Sequence, residues 1–116
     1  MSKKREIRLF ISDIKEATEA IFEYVKGIDF EVFVNDRKTH SAVIREFEII
    51  GEAVKNLPDD IKDRHDEIIW RDIVDFRNLL IHAYFGVDFD IIWNTIKEDL
   101  PKLYEVILKI ERDLRC

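Results

Sequence analysis

The chain has 116 residues, of which 47% are hydrophobic and 38% charged, with a formal net charge of -6. That length carries one domain with a real core and not two, and three glycines and two prolines leave little room for β-hairpins, which favours an all-α fold. The acidic balance argues against broad, sequence-blind binding to a nucleic-acid backbone but leaves room for a small cationic cleft; the only cysteine, Cys116, excludes an internal disulfide, and no apolar run approaches the roughly 20 residues that would span a membrane, so a cytoplasmic protein is expected.

The apolar spacing predicts a first helix from an N-cap at Ser2 to about Lys26, with Ile7, Ile11, Ile14, Thr18, Ile21 and Val25 on one face. Gly27 ends it. Asp29 to Asp36 is a connector whose Phe30, Val32, Phe33 and Val34 are too apolar for a solvated loop, so it is expected to fold back onto the core, and a lone strand would find nothing to pair with. A second helix runs from Arg37 or Lys38 to Leu57, with Val43, Phe47, Ile50, Val54 and Leu57 in register. Gly51 lies inside that helix, where it costs about 1 kcal/mol relative to alanine, and so reads as a point of close packing by another helix. Pro58 stops the helix, Pro58 to Glu67 is a charged connector with room for one helical turn, and Asp66 is a candidate cap for the third long helix.

Trp70 to Phe85 reads as that third helix and as the organising element of the chain. Its apolar residues fall on almost every side, the pattern of a helix buried all round, yet Arg71, Asp75, Asn78 and His82 line one narrow polar stripe. Arg77 and Tyr84 sit nearly in line on the apolar part of the wheel, and a guanidinium there requires a partner, a cleft or a bound anion. The FGVD segment then makes a tight connection, with Gly86 suited to a left-handed conformation and Asp88 to capping the next helix, so the third and fourth helices should be antiparallel neighbours. The fourth helix carries Phe89, Ile92, Ile96, Leu100, Leu103, Ile107, Ile110 and Leu114 in one stripe. Pro101 interrupts its hydrogen bonding without changing the apolar phase, which predicts a kink. The expected architecture is an up-and-down four-helix bundle forming a single domain over residues 1–116.

The run Arg77, Asn78, three apolar residues, His82, Ala83, Tyr84 resembles the arginine, four residues, histidine, one residue, tyrosine signature of the HepT group of HEPN proteins. The likeness continues in GEAVKNLP at Gly51 to Pro58, in the tryptophan that opens the third helix, in FGVD, and in IWNTIKEDLPKL at Ile92 to Leu103. Two departures are Ile69, where the group often has proline, and Asp75, where it often has glycine. The resemblance implies a homodimeric ribonuclease toxin that uses Arg77 and His82 in a cleft between protomers. It also implies, as antitoxin, an MntA-type nucleotidyltransferase that attaches AMP to Tyr84.

The residues suit that chemistry on their own terms. A histidine of near-neutral pKa can take the proton of an RNA 2'-hydroxyl or protonate the leaving oxygen, and an arginine can stabilise charge growing on the phosphorus, so no metal or cofactor is required. Asn78, four residues before His82, can orient the imidazole, and free N–H groups at the start of the fourth helix could help to hold the anion. A two-fold axis beside the third helix would bring a second His82 and cover that helix's remaining apolar sides. Taken singly, the same residues have plainer readings. His82 could cap or pack; Arg77 could pair with Glu46, Glu48 or Glu52; Asn78 could bridge helices; Tyr84 could be a core ring. A non-catalytic helical module that binds a nucleotide or a partner nucleotidyltransferase is the alternative. His40, His65 and His82 have no metal-ligand spacing, Cys116 has no histidine near it in sequence, Lys3 to Arg5 read as a solvated helix start, and Trp70 and Trp93 occupy core-compatible positions.

Overall fold

The computed structural model describes residues 3–82, Gly86 and residues 88–115, so the expectations placed on Ser2, Tyr84, Cys116 and most of the FGVD turn lie outside the described residues. The described chain is all-helical. In order it runs α1 (Lys3–Tyr24), α2 (Phe30–Asn35), α3 (Arg37–Lys55), α4 (Asp59–Arg64), α5 (Trp70–His82), α6 (Phe89–Asn94), a π-helical turn (Thr95–Asp99) and α7 (Leu100–Arg115). No helix among the described residues is long and apolar enough to cross a membrane.

The helix ends arise from local chemistry. Past the last residue of α1 the chain reverses at Gly27, whose φ of 76° lies in the left-handed region that side chains disfavour. The apolar connector is itself a short helix, because an aspartate closes each of its ends. The Asp29 carboxylate accepts from Val32 N at 2.9 Å, and Asp36 donates its own N–H to Val32 O while its carboxylate accepts from Thr39 N at the start of α3. Asp36 therefore ends one helix and caps the next. Phe33 from α2 is fully buried, in contact with Trp93 and Phe89, as the fold-back expectation required. Asp66 is not a cap: α5 begins at Trp70, and the turn before it is held by Ile68 N to His65 O and by the Trp70 indole N–H donating to His65 O at 3.0 Å.

The core is aliphatic and continuous. Ile11, Ile14, Ala17 and Ile21 from α1 meet Val43, Phe47, Ile50 and Val54 from α3, while Ile92, Ile96, Leu100, Leu103, Ile107 and Ile110 bring in the stripe of the last helix. At its periphery Lys15 pairs with Glu111 at 3.2 Å and the Tyr104 hydroxyl donates to Glu19 at 2.6 Å, both fastening α7 to α1. Asp88 caps α6, its carboxylate accepting from Asp90 N at 2.9 Å. The π-helical turn lies immediately ahead of Pro101, and Leu100 N–H bonds back to Thr95 O across it. This wider turn accommodates the missing proline donor within one continuous helical run and keeps the apolar stripe on the core side.

Two features of α5 depart from the sequence expectation. It packs chiefly on α3, and a groove of about 370 Å³ separates it from the last helix, lined by Phe47, Ile50, Ile73, Phe76, Leu100 and Leu103 with Asp72 and Asp99 on its rim. Nor is α5 covered on every side. Trp70 and Leu80 are buried, Ile73, Val74 and Phe76 are half-buried, and Leu79 and Ile81 are 42% and 40% exposed, with Ile69 just ahead of the helix at 67%. An apolar wheel states that a helix needs cover; the described residues of this chain do not supply it all.

Candidate active site

The polar stripe on α5 faces solvent. Arg71, Asp75 and His82 are exposed, Asn78 is half-buried at the edge, and His82 occupies the last turn, as its place in the sequence required. Among the described residues the His82 side chain makes no hydrogen bond or ion pair, and its ring is open to a substrate.

Arg77 points the other way. Five residues before His82, it lies about 140° round the helix axis and roughly 7.5 Å along it, against α3. Its stem crosses Gly51: a Cβ placed on that glycine would overlap Arg77 Cβ and Cγ, which is the close approach the mid-helix glycine implied. The guanidinium is then held from two sides. Nη2 donates to Glu52 Oε2 at 2.9 Å, and Nη1 donates to Asn78 Oδ1 at 3.0 Å. Nε is buried and has no partner among the described residues.

Several expectations are thereby decided geometrically. Of the three glutamates that could face Arg77, Glu52 does so, while Glu46 instead accepts from the Tyr24 hydroxyl at 3.0 Å. The sequence marked Gly51 as a point of close approach, and the helix crossing brings Arg77 onto it and beside Glu52. Asn78 gives its carbonyl oxygen to Arg77 rather than to the imidazole, so it joins the arginine to the stripe that carries His82. The start of the last helix offers less to an anion than expected, because the Asp88 carboxylate already occupies that end. Among the described residues, no group of three or more His, Cys, Asp or Glu side chains is placed to hold a metal ion. His40 is half-buried against the rings of Phe33 and Phe89, and His65 Nδ1 lies 4.0 Å from Glu67 Oε1 while its backbone carbonyl accepts the Trp70 indole N–H.

The family described as "Ribonuclease HepT-like" matches residues 14–110, a span that includes Gly51, Glu52, Arg77, Asn78 and His82. The chain belongs to the HepT-like ribonuclease family. It is 53% identical over 100 residues to a Thermococcus cleftensis protein named "Probable ribonuclease HepT", covering 86% of this chain and 91% of that one. Relatives from Caldanaerobacter subterraneus subsp. tengcongensis (44% over 103 residues, 89% and 92% covered) and Methanocaldococcus jannaschii (40% over 100 residues, 86% and 92% covered) are named provisionally as RNases. No solved structure matches the chain. Membership in a ribonuclease family makes RNA the substrate class at family level.

Proposed function

We propose that this HepT-like protein is a metal-independent endoribonuclease that works as a homodimer in the cytoplasm, with His82 transferring protons and Arg77 stabilising the phosphate. The observation that carries the reading is an exposed histidine, unpartnered among the described residues, on the same helix as a tethered arginine in a chain of a ribonuclease family. His82 takes the proton of the 2'-hydroxyl or delivers one to the leaving oxygen, while Arg77 meets the charge that grows on the phosphorus. Asn78 orients the arginine.

The dimer is supported by what one protomer leaves undone. Arg77 and His82 diverge around one helix, and an acid–base pair needs two proton-transfer groups where a protomer has one His82. A second copy related by a two-fold axis along α5 supplies the other and covers Leu79 and Ile81. On this reading the protein is the toxin of a toxin–antitoxin pair. Its MntA-type nucleotidyltransferase partner silences it by adding AMP to Tyr84, where a bulky, negatively charged group two residues beyond His82 would repel an RNA phosphate.

The test is cleavage of a labelled RNA panel in EDTA by the purified protein and by His82→Ala, with helicity checked by circular dichroism, intact mass checked for AMP, and mass in solution measured by light scattering. The expected result is cutting by the parent, loss of at least about a hundredfold in the folded variant, and a dimer. An unmodified parent that cuts no RNA would leave a non-catalytic binding module as the better reading.

A further inference from the structure

We propose that Glu52, a residue on α3 outside the Arg77–His82 motif, is a positioning residue that sets the guanidinium plane of Arg77 for phosphate binding. The inference rests on the reading of Arg77 as the phosphate-stabilising group. A guanidinium has five N–H donors, and among the described residues two have partners: one on Nη2 with Glu52 and one on Nη1 with Asn78. The stem has no freedom to compensate, because it is pressed against Gly51 at Cβ and Cγ. The guanidinium is therefore fixed at three places, its stem and both terminal nitrogens, and the second hydrogens of Nη1 and Nη2 have no partner among the described residues.

The placement of the pair separates positioning from simple charge neutralisation. The Arg77 side chain is 24% exposed and the Glu52 side chain 53% exposed, so the ion pair lies at the surface end of the α3–α5 contact, where solvent screens it and its worth as a stabilising bond is small. Its geometric effect is not screened. A planar cation that must meet two phosphate oxygens at once loses most of its advantage if it can rotate, and a carboxylate on one terminal nitrogen with an amide oxygen on the other removes that rotation. Glu52 also carries a negative charge beside the phosphate site. A group acting only as an electrostatic guard would weaken RNA binding, and its removal would raise activity.

The experiment compares the parent, Glu52→Gln and Glu52→Ala, all checked for folding by circular dichroism and thermal midpoint. The glutamine oxygen can still accept from Nη2 without the charge. Positioning predicts that Glu52→Ala lowers kcat by about tenfold or more with KM changed by less than about threefold, and that Glu52→Gln keeps at least about a third of the parental kcat. Parental or higher kcat in Glu52→Ala overturns the proposal, and so does a Glu52→Gln as impaired as Glu52→Ala, which would assign the effect to charge. A second readout does not depend on cleavage: the side-chain nitrogen NMR signals of Arg77, identified by their loss in Arg77→Lys. They should show slow guanidinium rotation in the parent and in Glu52→Gln and fast averaging in Glu52→Ala. If the parent cuts no RNA, the ribonuclease reading fails by itself, while averaged Arg77 signals in the parent would still overturn the role of Glu52.

Discussion

Replacing Gly51 by alanine adds a single methyl group at the point where Arg77 crosses α3. The new carbon would overlap Arg77 Cβ and Cγ and stand 3.3 Å from Cδ. Cβ belongs to α5 almost as firmly as backbone does, so no rotation of the arginine clears it, and α5 must move away from α3. Overpacking of this kind costs about 1–3 kcal/mol, and a contact with the root of a side chain falls toward the upper end. Against it stands the gain of about 1 kcal/mol that alanine has over glycine inside a helix. The expected net effect is a loss of about 1–2 kcal/mol, or a fall of about 3–10 °C in the thermal midpoint for a chain of this size. Thermal and urea unfolding monitored by circular dichroism would measure it, with RNA cleavage assayed beside it because a displaced α5 also carries Arg77 away from Glu52. A gain in stability near 1 kcal/mol would refute the reasoning, since that is the outcome for a glycine in an open helix. In the Gly51→Ala, Arg77→Ala double variant the arginine loses Cγ but keeps Cβ, so recovery should be partial.

His40 should make stability fall in mild acid. Burial lowers its pKa, Asp36 opposes that shift and Arg37 adds to it, and its Nδ1, beside the rings of Phe33 and Phe89, is buried without a partner among the described residues. The unfolded chain takes up the proton as pH falls through about 6.5 while the folded chain resists, so the contribution is full above that value and declines below it, towards the lowered folded pKa. Thermal midpoints between about pH 7.5 and pH 5 should drop less in His40→Leu than in the parent, and equal slopes would show that His40 is not the cause. Thr18 is fully buried and its hydroxyl has no partner among the described residues. Thr18→Val keeps the shape and removes the unbonded oxygen, for an expected gain of about 1 kcal/mol in urea unfolding; a loss of that size would mean that the hydroxyl bonds to an internal water.

What the sequence determined by itself is whatever acts over a few residues or repeats with the helix. The period of the apolar residues placed α1, α3 and the last helix within a few residues of their ends and picked out the buried stripe from Ile92 to Ile110. Asp88 was legible as a cap and Gly27 as a stop, because each acts on its immediate neighbours. The motif residues Arg77, Asn78 and His82 were legible as types at a spacing, and Gly51 as a point of close approach without the identity of the residue approaching it. The tertiary structure alone decided that the approaching residue is Arg77, that Glu52 and not Glu46 or Glu48 meets its guanidinium, and that Asn78 turns to the arginine rather than to His82. It also decided that α5 has one covered side and one open side, which an apolar wheel cannot state, since the wheel counts apolar residues but not the neighbours available to cover them. The reason is common to all of these. Residues 52 and 77 stand 25 positions apart, and whether they touch depends on how two helices cross, a relation set by packing across the whole core and absent from the pattern of either helix alone.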